Sequence, residues 1–138
     1  SGYSGKMRLT VSYVSIVGSG APRPGGKVDL ALSAPGDAGL PYQVGTSLGT
    51  GPIVLGARSL KLSPDDLLLV SVNGLLPAVF QTYNGFLDGQ GQGKATMLIP
   101  NVPALVGVSL HSAFVTLKAG EPFNLKTISD TFSFKITT

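Results

Sequence analysis

Apolar residues in this chain occur in short runs in which apolar and polar side chains alternate, and Gly and Pro separate the runs. The 138 residues include 19 Gly and 10 Pro. Alternation with a period of two places every second side chain on the same face of a β-strand. The period of about 3.6 residues that marks an amphipathic helix is almost absent. The sequence therefore predicts an all-β protein.

The clearest strand is residues 27–34, where Val28, Leu30 and Leu32 alternate with polar or small residues. Similar short runs recur along the chain and are bounded by turn residues such as those at 35–39. Eight or nine such strands predict an antiparallel β-sandwich of immunoglobulin-like or jelly-roll type. The predicted strands are 7–17, 27–34, 40–48, 53–55, 60–62, 79–87, 94–99, 108–117 and 127–136.

At most one short helical turn is expected. Ser63 is a suitable N-cap residue, Pro64 suits the first helical position, and Asp65 and Asp66 would place acidic groups in the first turn. The pattern predicts a helical turn here, immediately before the apolar run 67–72.

The length of the chain fits one domain. We expect residues 18–138 to form a single β-sandwich domain and residues 1–17 to form an N-terminal arm together with the first strand. The apolar alternation in this arm changes phase near Tyr13 and Val14. Such a break suits a segment that passes from a neighbouring subunit to its own sheet.

Charged residues make up 12% of the chain, about half the usual ~25%. The net charge is +3, but the Lys and Arg residues are scattered and Trp is absent, so nucleic acid is not an expected partner. No run approaches the ~20 apolar residues of a membrane span. Cysteine is absent, which excludes disulfides and thiolate metal sites. A surface with so little charge presents a low electrostatic barrier to self-association.

The string GTSLG at residues 45–49 fits the nucleophile-elbow pattern of hydrolases. That elbow needs a helix directly after the serine, followed in the chain by an acid and then a histidine. No helix is predicted after Ser47, and His111 precedes Asp130. The string therefore indicates a strand that ends in a glycine turn.

Residues 88–96, DGQGQGKAT, resemble a phosphate-binding loop. Asp88 stands where the first Gly is needed, and Ala95 stands where a Ser or Thr would bind magnesium. We interpret the segment as a flexible hairpin tip, and its one carboxylate is too few for calcium.

The remaining titratable groups give no catalytic or metal-binding pattern. Asp65 and Asp66 are better suited to cap a turn than to bind a metal. His111 has no partner histidine, which indicates a surface or hydrogen-bonded residue. Glu121 is the one glutamate in the chain. We therefore expect no enzymatic activity, no cofactor and no metal.

Four tyrosines offer an alternative, a sugar-stacking face: Tyr3, Tyr13, Tyr42 and Tyr83. Sugar-binding modules usually use Trp as well, which this chain lacks. The alternative function is thus an accessory surface-adhesion or glycan-binding module of a larger secreted protein, with Tyr42 and Tyr83 as the first residues to test.

About half of the chain contains five short motifs made of turn and core residues. These motifs are GPIVLG (51–56), LSPD (62–65), GFLDG (85–89), IPNVPAL (99–105) and AFVTL (113–117). Over residues 51–117 the chain resembles a small β-sandwich module found at the C-terminal end of large secreted bacterial proteins. The role of that module is unassigned. The resemblance implies an extracellular setting and no catalytic residues.

These observations favour a non-enzymatic structural protein, extracellular or at the cell surface, whose copies assemble into a surface filament or a similar assembly. The contacts would be strand edges or the N-terminal arm, which would insert into a neighbouring copy. The residues predicted to mediate self-assembly are Leu9, Val11, Tyr13, Val14 and Ile16.

Overall fold

Residues 14–138, the part of the chain that this computed structural model describes, form two antiparallel β-sheets whose apolar faces pack together. The eleven strands of this part are β1 (Ser15–Gly20), β2 (Lys27–Ser33), β3 (Pro41–Ser47), β4 (Ile53–Leu55), β5 (Arg58–Leu60), β6 (Phe80–Gln81), β7 (Asn84–Phe86), β8 (Gln92–Leu98), β9 (Ser109–Leu117), β10 (Leu125–Ile128) and β11 (Phe132–Lys135). One α-helix, α1 (Asp66–Val72), follows β5. The predicted all-β sandwich is confirmed.

The first sheet has the strand order β1-β2-β8-β6, with all neighbours antiparallel. The second sheet has β9 near its centre, with β3 on one side and β7 beyond it. On its other side β9 pairs first with β11 and then, further along, with β10. Strands β4 and β5 form a separate hairpin.

The main core lies between the two sheets and follows from the alternation in the sequence. Leu30 and Leu32 of β2 face Val44 of β3 and Phe114 of β9, and all four side chains are buried. Removing this apolar surface from water is the largest favourable contribution to folding.

A third layer covers the outer face of the second sheet. Leu68 of α1 and Leu62 pack on Ala113 of β9 in a small second core. Gly45 of β3 allows this close approach, since a Cβ atom there would lie 2.7 Å from Leu68 Cδ1. Ser71 of α1 also accepts a hydrogen bond from the Thr46 backbone N–H, at 3.0 Å, so the helix covers the edge of β3 beyond β7.

The strands outnumber the eight or nine expected because two predicted strands are divided. Residues 79–87 separate at Thr82, which has a φ of 57°, and the chain passes there from the first sheet to the second. Residues 127–136 separate at Ser129, whose hydroxyl accepts a hydrogen bond from the Phe114 N–H at 2.8 Å.

The helix also lies later in the chain than the turn expected at residues 63–66. It begins at Asp66 with Asp65 as its N-cap, so the predicted N-cap Ser63 and the predicted first helical residue Pro64 precede it. It includes the apolar run 67–72, because Leu68, Ser71 and Val72 share the face that packs on β3.

Residues 1–13 lie outside the described residues, so the predicted arm and its phase change are not tested. Within the described chain, the first strand begins at Ser15. Val14 packs against the main core, and Ile16 is buried in it.

Candidate functional site

The hydrolase-like string at residues 45–49 is structural. Ser47 is fully buried at the end of β3, and its hydroxyl donates a 2.6 Å hydrogen bond to the Gly49 carbonyl. The Ser63 N–H donates to the same hydroxyl oxygen at 3.0 Å. The chain continues into a bend and not a helix, as the sequence predicted.

His111 lies beside Ser47 across the β3–β9 pair. Its Nδ1 shares a 2.6 Å hydrogen bond with Ser133 Oγ of β11. In the described part of the chain, no carboxylate makes a hydrogen bond to this imidazole. His111 is therefore a hydrogen-bonded strand residue, which confirms the interpretation from sequence.

Asp65 connects β3 to α1. Its carboxylate accepts hydrogen bonds from the Leu68 N–H at 2.9 Å and from the Leu48 N–H at 2.8 Å. The first of these caps the helix N-terminus. The predicted capping role is confirmed. Among residues 14–138, no group of three His, Cys, Asp or Glu side chains is arranged to hold a metal ion.

In the loop at Asp88, backbone N–H groups that could bind an anion instead donate to the carboxylate of Asp88. Asp88 Oδ1 accepts hydrogen bonds from the N–H groups of Gln90 and Gln92, at 2.8 and 2.9 Å. The bonds from Gln92 and Gln90 lower the pKa of Asp88. These N–H groups are the donors that a phosphate would need. The loop connects β7 of one sheet to β8 of the other and is not a hairpin tip.

The sugar-stacking interpretation is wrong for Tyr42 and Tyr83, because both rings are buried. The Tyr42 hydroxyl donates to the carbonyls of Thr82 and Lys94, at 3.0 and 3.1 Å. The Tyr83 hydroxyl shares a 2.7 Å hydrogen bond with Thr46 Oγ1, and burial raises the pKa of Tyr83 to about 12. Tyr3 and Tyr13 lie outside the described residues.

An ion pair between a buried aspartate and a partly exposed lysine was not predicted from the sequence. Asp37, which is buried, contacts Lys126 Nζ at 2.6 Å and accepts a 2.9 Å hydrogen bond from Thr116 Oγ1. Lys126 also donates to the Gly36 carbonyl at 3.0 Å. Lys126 and Thr116 stabilise the charged form of Asp37. Their contacts with Asp37 connect the turn Pro35–Asp37 to β10 and β9.

One strand edge is open in the described chain. β1 pairs with β2 on one side, and no other described strand pairs with it. Its six residues, SIVGSG, include no charge and no proline, and Val17 is 58% exposed. The other edge strands are short or carry a lysine. Natural proteins usually protect long edge strands with such features, so within residues 14–138 β1 is an edge without this protection.

A hollow of about 100 Å³ lies beside this edge. It is bounded by Gly18 of β1, by Val28 of β2, and by Phe132 and Phe134 of β11. Gly18 is needed because a Cβ atom there would overlap the ring of Phe132. We call this feature the β1 groove: the edge of β1 that no other described strand covers, together with the hollow between β1 and β11.

A larger cleft lies at the end of the sandwich where β3 and β8 end and β9 begins. It encloses about 240 Å³, and all its lining side chains are apolar. Met97 of β8, Leu110 of β9 and Leu67 of α1 form its walls, and Leu48 and Leu76 lie at its mouth. We call this feature the end cleft.

The sequence gives one signal for the end cleft. The flanking loops 73–79 and 100–107 contain no charged residue, although surface loops are usually polar. Four large apolar side chains are exposed in these loops: Leu75, Leu76, Val102 and Val106.

No model of a known protein family matches the sequence, and no curated protein matches it either. The resemblance over residues 51–117 stays a prediction. No helix within residues 14–138 is long and apolar enough to cross a membrane.

Proposed function

We propose that this chain is a non-enzymatic, extracellular structural subunit whose copies assemble through the β1 groove. The N-terminal segment of one copy, residues 1–13, would pair with the free edge of β1 in the next copy. The observation that carries the proposal is the uncharged edge of β1 beside an apolar hollow.

This pairing is strand addition, in which backbone hydrogen bonds give affinity and pockets for alternate side chains give specificity. Residues 7–13 alternate Met7, Leu9, Val11 and Tyr13 with polar or small residues. One of these apolar side chains would enter the hollow formed by Phe132 and Phe134. Val14 and Ile16 belong to the subunit's own core, so the proposed contact residues are Leu9, Val11 and Tyr13.

A contact between the arm of one copy and the groove of another is heterologous. Such contacts form rings when the rotation between copies closes and filaments when it does not. The scarcity of charged residues supports this assembly, because copies of a weakly charged surface repel one another little.

The non-enzymatic part of the proposal is supported by how the candidate catalytic groups are used. Ser47, His111 and Asp65 each make hydrogen bonds within the fold. The extracellular part depends on the resemblance to a module of secreted proteins. The glycan-binding alternative has less support, since Tyr42 and Tyr83 lie in the core.

Light scattering after size exclusion tests the proposal. We expect the full chain to form oligomers or filaments at about 100 µM, a concentration at which contacts of modest affinity are populated. The variant Leu9→Asp/Val11→Asp alters the inserting segment and should be monomeric. The variant Val17→Lys/Ser19→Lys places charge on the receiving edge and should also be monomeric.

The hairpin formed by β4 and β5 provides a matched control. Val54 and Ser59 are exposed cross-strand neighbours, so Val54→Lys/Ser59→Lys adds the same charge through the same residue types elsewhere. This control should assemble like the unaltered chain. A monomeric full chain, or unchanged assembly of both edge and arm variants, would contradict the proposal.

A further inference from the structure

We propose that the end cleft binds an uncharged lipophilic molecule, such as a long-chain alcohol or the hydrocarbon chain of a lipid. The site is separate from the β1 groove, with which it shares no lining residue. The inference is therefore independent of the proposed assembly.

The chemistry of the lining points to a hydrocarbon. Residues from both sheets and from α1 contribute, among them Leu67, Phe80, Met97, Leu110 and Ile136, and none of the lining side chains has a charged or polar group. Water in such a space would find almost no hydrogen-bond partner, and apolar cavities of this kind stay dry and take up apolar molecules.

The size of the cleft suits a short chain. A closed apolar cavity of about 150 Å³ accommodates benzene. The end cleft encloses about 240 Å³, which leaves room for a chain of roughly eight to ten carbon atoms. Small-molecule sites usually begin at about 300 Å³, so a compact or narrow ligand fits best.

Among the described residues, the mouth of the cleft is open and apolar. Leu48 is 55% exposed and Leu76 is 49% exposed, and both line the cleft. Exposed apolar residues that surround a concave site are typical of binding surfaces. A ligand chain could thus enter without displacing buried side chains.

The apolar lining of the cleft should favour uncharged lipophilic molecules over charged ones. Within residues 14–138, no Lys, Arg or His lines the cleft, and the flanking loops 73–79 and 100–107 carry no charge. A carboxylate at the mouth would find no cation among these residues and would lose hydration. The site should therefore prefer an alcohol to the fatty-acid anion of equal length.

Calorimetric titration of the full chain with primary alcohols from pentanol to decanol tests the proposal. Affinity should rise about fourfold for each added methylene group, the gain expected for burying one CH₂. At pH 8, decanol should bind at least about tenfold more tightly than decanoate. Saturating decanol should also raise the melting temperature by about 5–10 °C.

Two variants localise the binding. Leu76→Asp places a charge at the exposed mouth and should weaken decanol binding by at least about tenfold. Val54→Asp adds the same charge at a residue that is 69% exposed and outside the cleft, and it should bind decanol normally. Val108→Trp is a second variant for the case that Leu76→Asp does not fold. Val108 is half-buried in the wall of the cleft, so a tryptophan there would fill the cleft and should abolish decanol binding.

Sedimentation with neutral phosphatidylcholine vesicles distinguishes the two sources of a hydrocarbon chain. If the protein binds decanol but not vesicles, the ligand of the site is a free lipophile. If it binds both decanol and vesicles, and Leu76→Asp weakens both, the ligand is the hydrocarbon chain of a bilayer lipid. No heat with any alcohol at two well-separated temperatures together with no rise in melting temperature, or equal affinity for decanol and decanoate, overturns the proposal. The proposal is also overturned if decanol binds to the Leu9→Asp/Val11→Asp variant but not to the unaltered chain. In that case the N-terminal segment of the chain itself would cover the cleft.

Discussion

Buried polar side chains make specific hydrogen bonds in this fold. Two of them, Tyr83 and Asp37, should make the free energy of unfolding depend on pH. Tyr83 lies between the sheets and shares a hydrogen bond with Thr46, which in turn contacts Ser112 at 2.8 Å. Asp37 is held by Lys126 and Thr116. A buried polar group costs little when it is paired and 1–3 kcal/mol or so when it is not.

Tyr83 should make the protein less stable at high pH. Burial raises its pKa to about 12 from an ordinary value of 10.0. The unfolded chain then loses this proton first, so the stabilisation is complete below pH 10 and is lost as the pH rises from 10 to about 12. We expect Tyr83 to account for a loss of roughly 2–3 kcal/mol over this window.

The measurement is urea unfolding at several pH values. Tyr83→Phe should lack this part of the decline, although removal of the hydroxyl should cost about 1 kcal/mol at neutral pH. Parallel curves for the variant and the unaltered chain above pH 10 would contradict the assignment.

Asp37 should affect the free energy of unfolding at low pH. Burial alone would raise the pKa of Asp37, but hydrogen bonds from Lys126, Thr127 and Thr116 outweigh burial and lower it below its ordinary value of 3.8. The stabilisation is present above pH 3.8 and is lost as the pH falls through the lower pKa of the folded state.

Asp37→Asn should cost about 1–3 kcal/mol at pH 7, because it leaves Lys126 without its carboxylate. It should also flatten the loss of stability below pH 3.8. Asp130→Asn changes the net charge equally at an exposed residue and serves as the control. Equal unfolding free energies for the two variants would exclude a stabilising role for the pair.

At the scale of elements, the contact between α1 and β3 organises the outer layer. Asp65 bonds to the Leu68 N–H at the start of the helix and to the Leu48 N–H just after β3. Gly45 lets the helix approach, and Ser71 covers the edge of β3. This layer also supports the end cleft, since Leu48 and Leu67 line it.

Asp65→Ala should lower the unfolding free energy by about 1–2 kcal/mol, the usual cost of losing an N-cap, since both backbone donors lose their acceptor. Asp66→Ala, at the exposed neighbouring residue, should have a smaller effect. Chemical unfolding of the two variants provides the comparison. An equal loss of stability would show that the carboxylate of Asp65 has no special role.

Much of the fold could be predicted from local patterns. The alternation in β2 predicted which side chains are buried, and residues 63–66 indicated a helical turn next to the helix that begins at Asp66, although the N-cap is Asp65 and not Ser63. The length of the helix was missed because the six-residue apolar run 67–72 contains too few turns to show a helical period. The breaks at Thr82 and Ser129 were missed because they depend on pairing with distant strands.

The candidate sites were less accessible from the sequence. The β1 groove combines residues 18–20 with Phe132 and Phe134, which are far apart in the chain. The end cleft combines five or more separate segments. Patterns within one segment cannot reveal such a surface, although the uncharged loops at 73–79 and 100–107 were a visible signal.

On the scale of the whole molecule, the described chain presents two apolar features at different places. The β1 groove offers backbone donors and acceptors beside a small hollow, which suits an extended peptide. The end cleft offers apolar side chains alone, which suits a hydrocarbon. Self-assembly depends on the β1 groove, because it requires that the edge of β1 be covered by another copy.

Amide hydrogen exchange at two protein concentrations tests that requirement directly. At low concentration the outward amides of Ser15–Gly20 should exchange quickly, and at about 100 µM they should slow by at least about tenfold, while those of β8 in the sheet interior stay unchanged. Exchange in β1 that is independent of concentration, in a full chain that binds no other copy, would contradict the account.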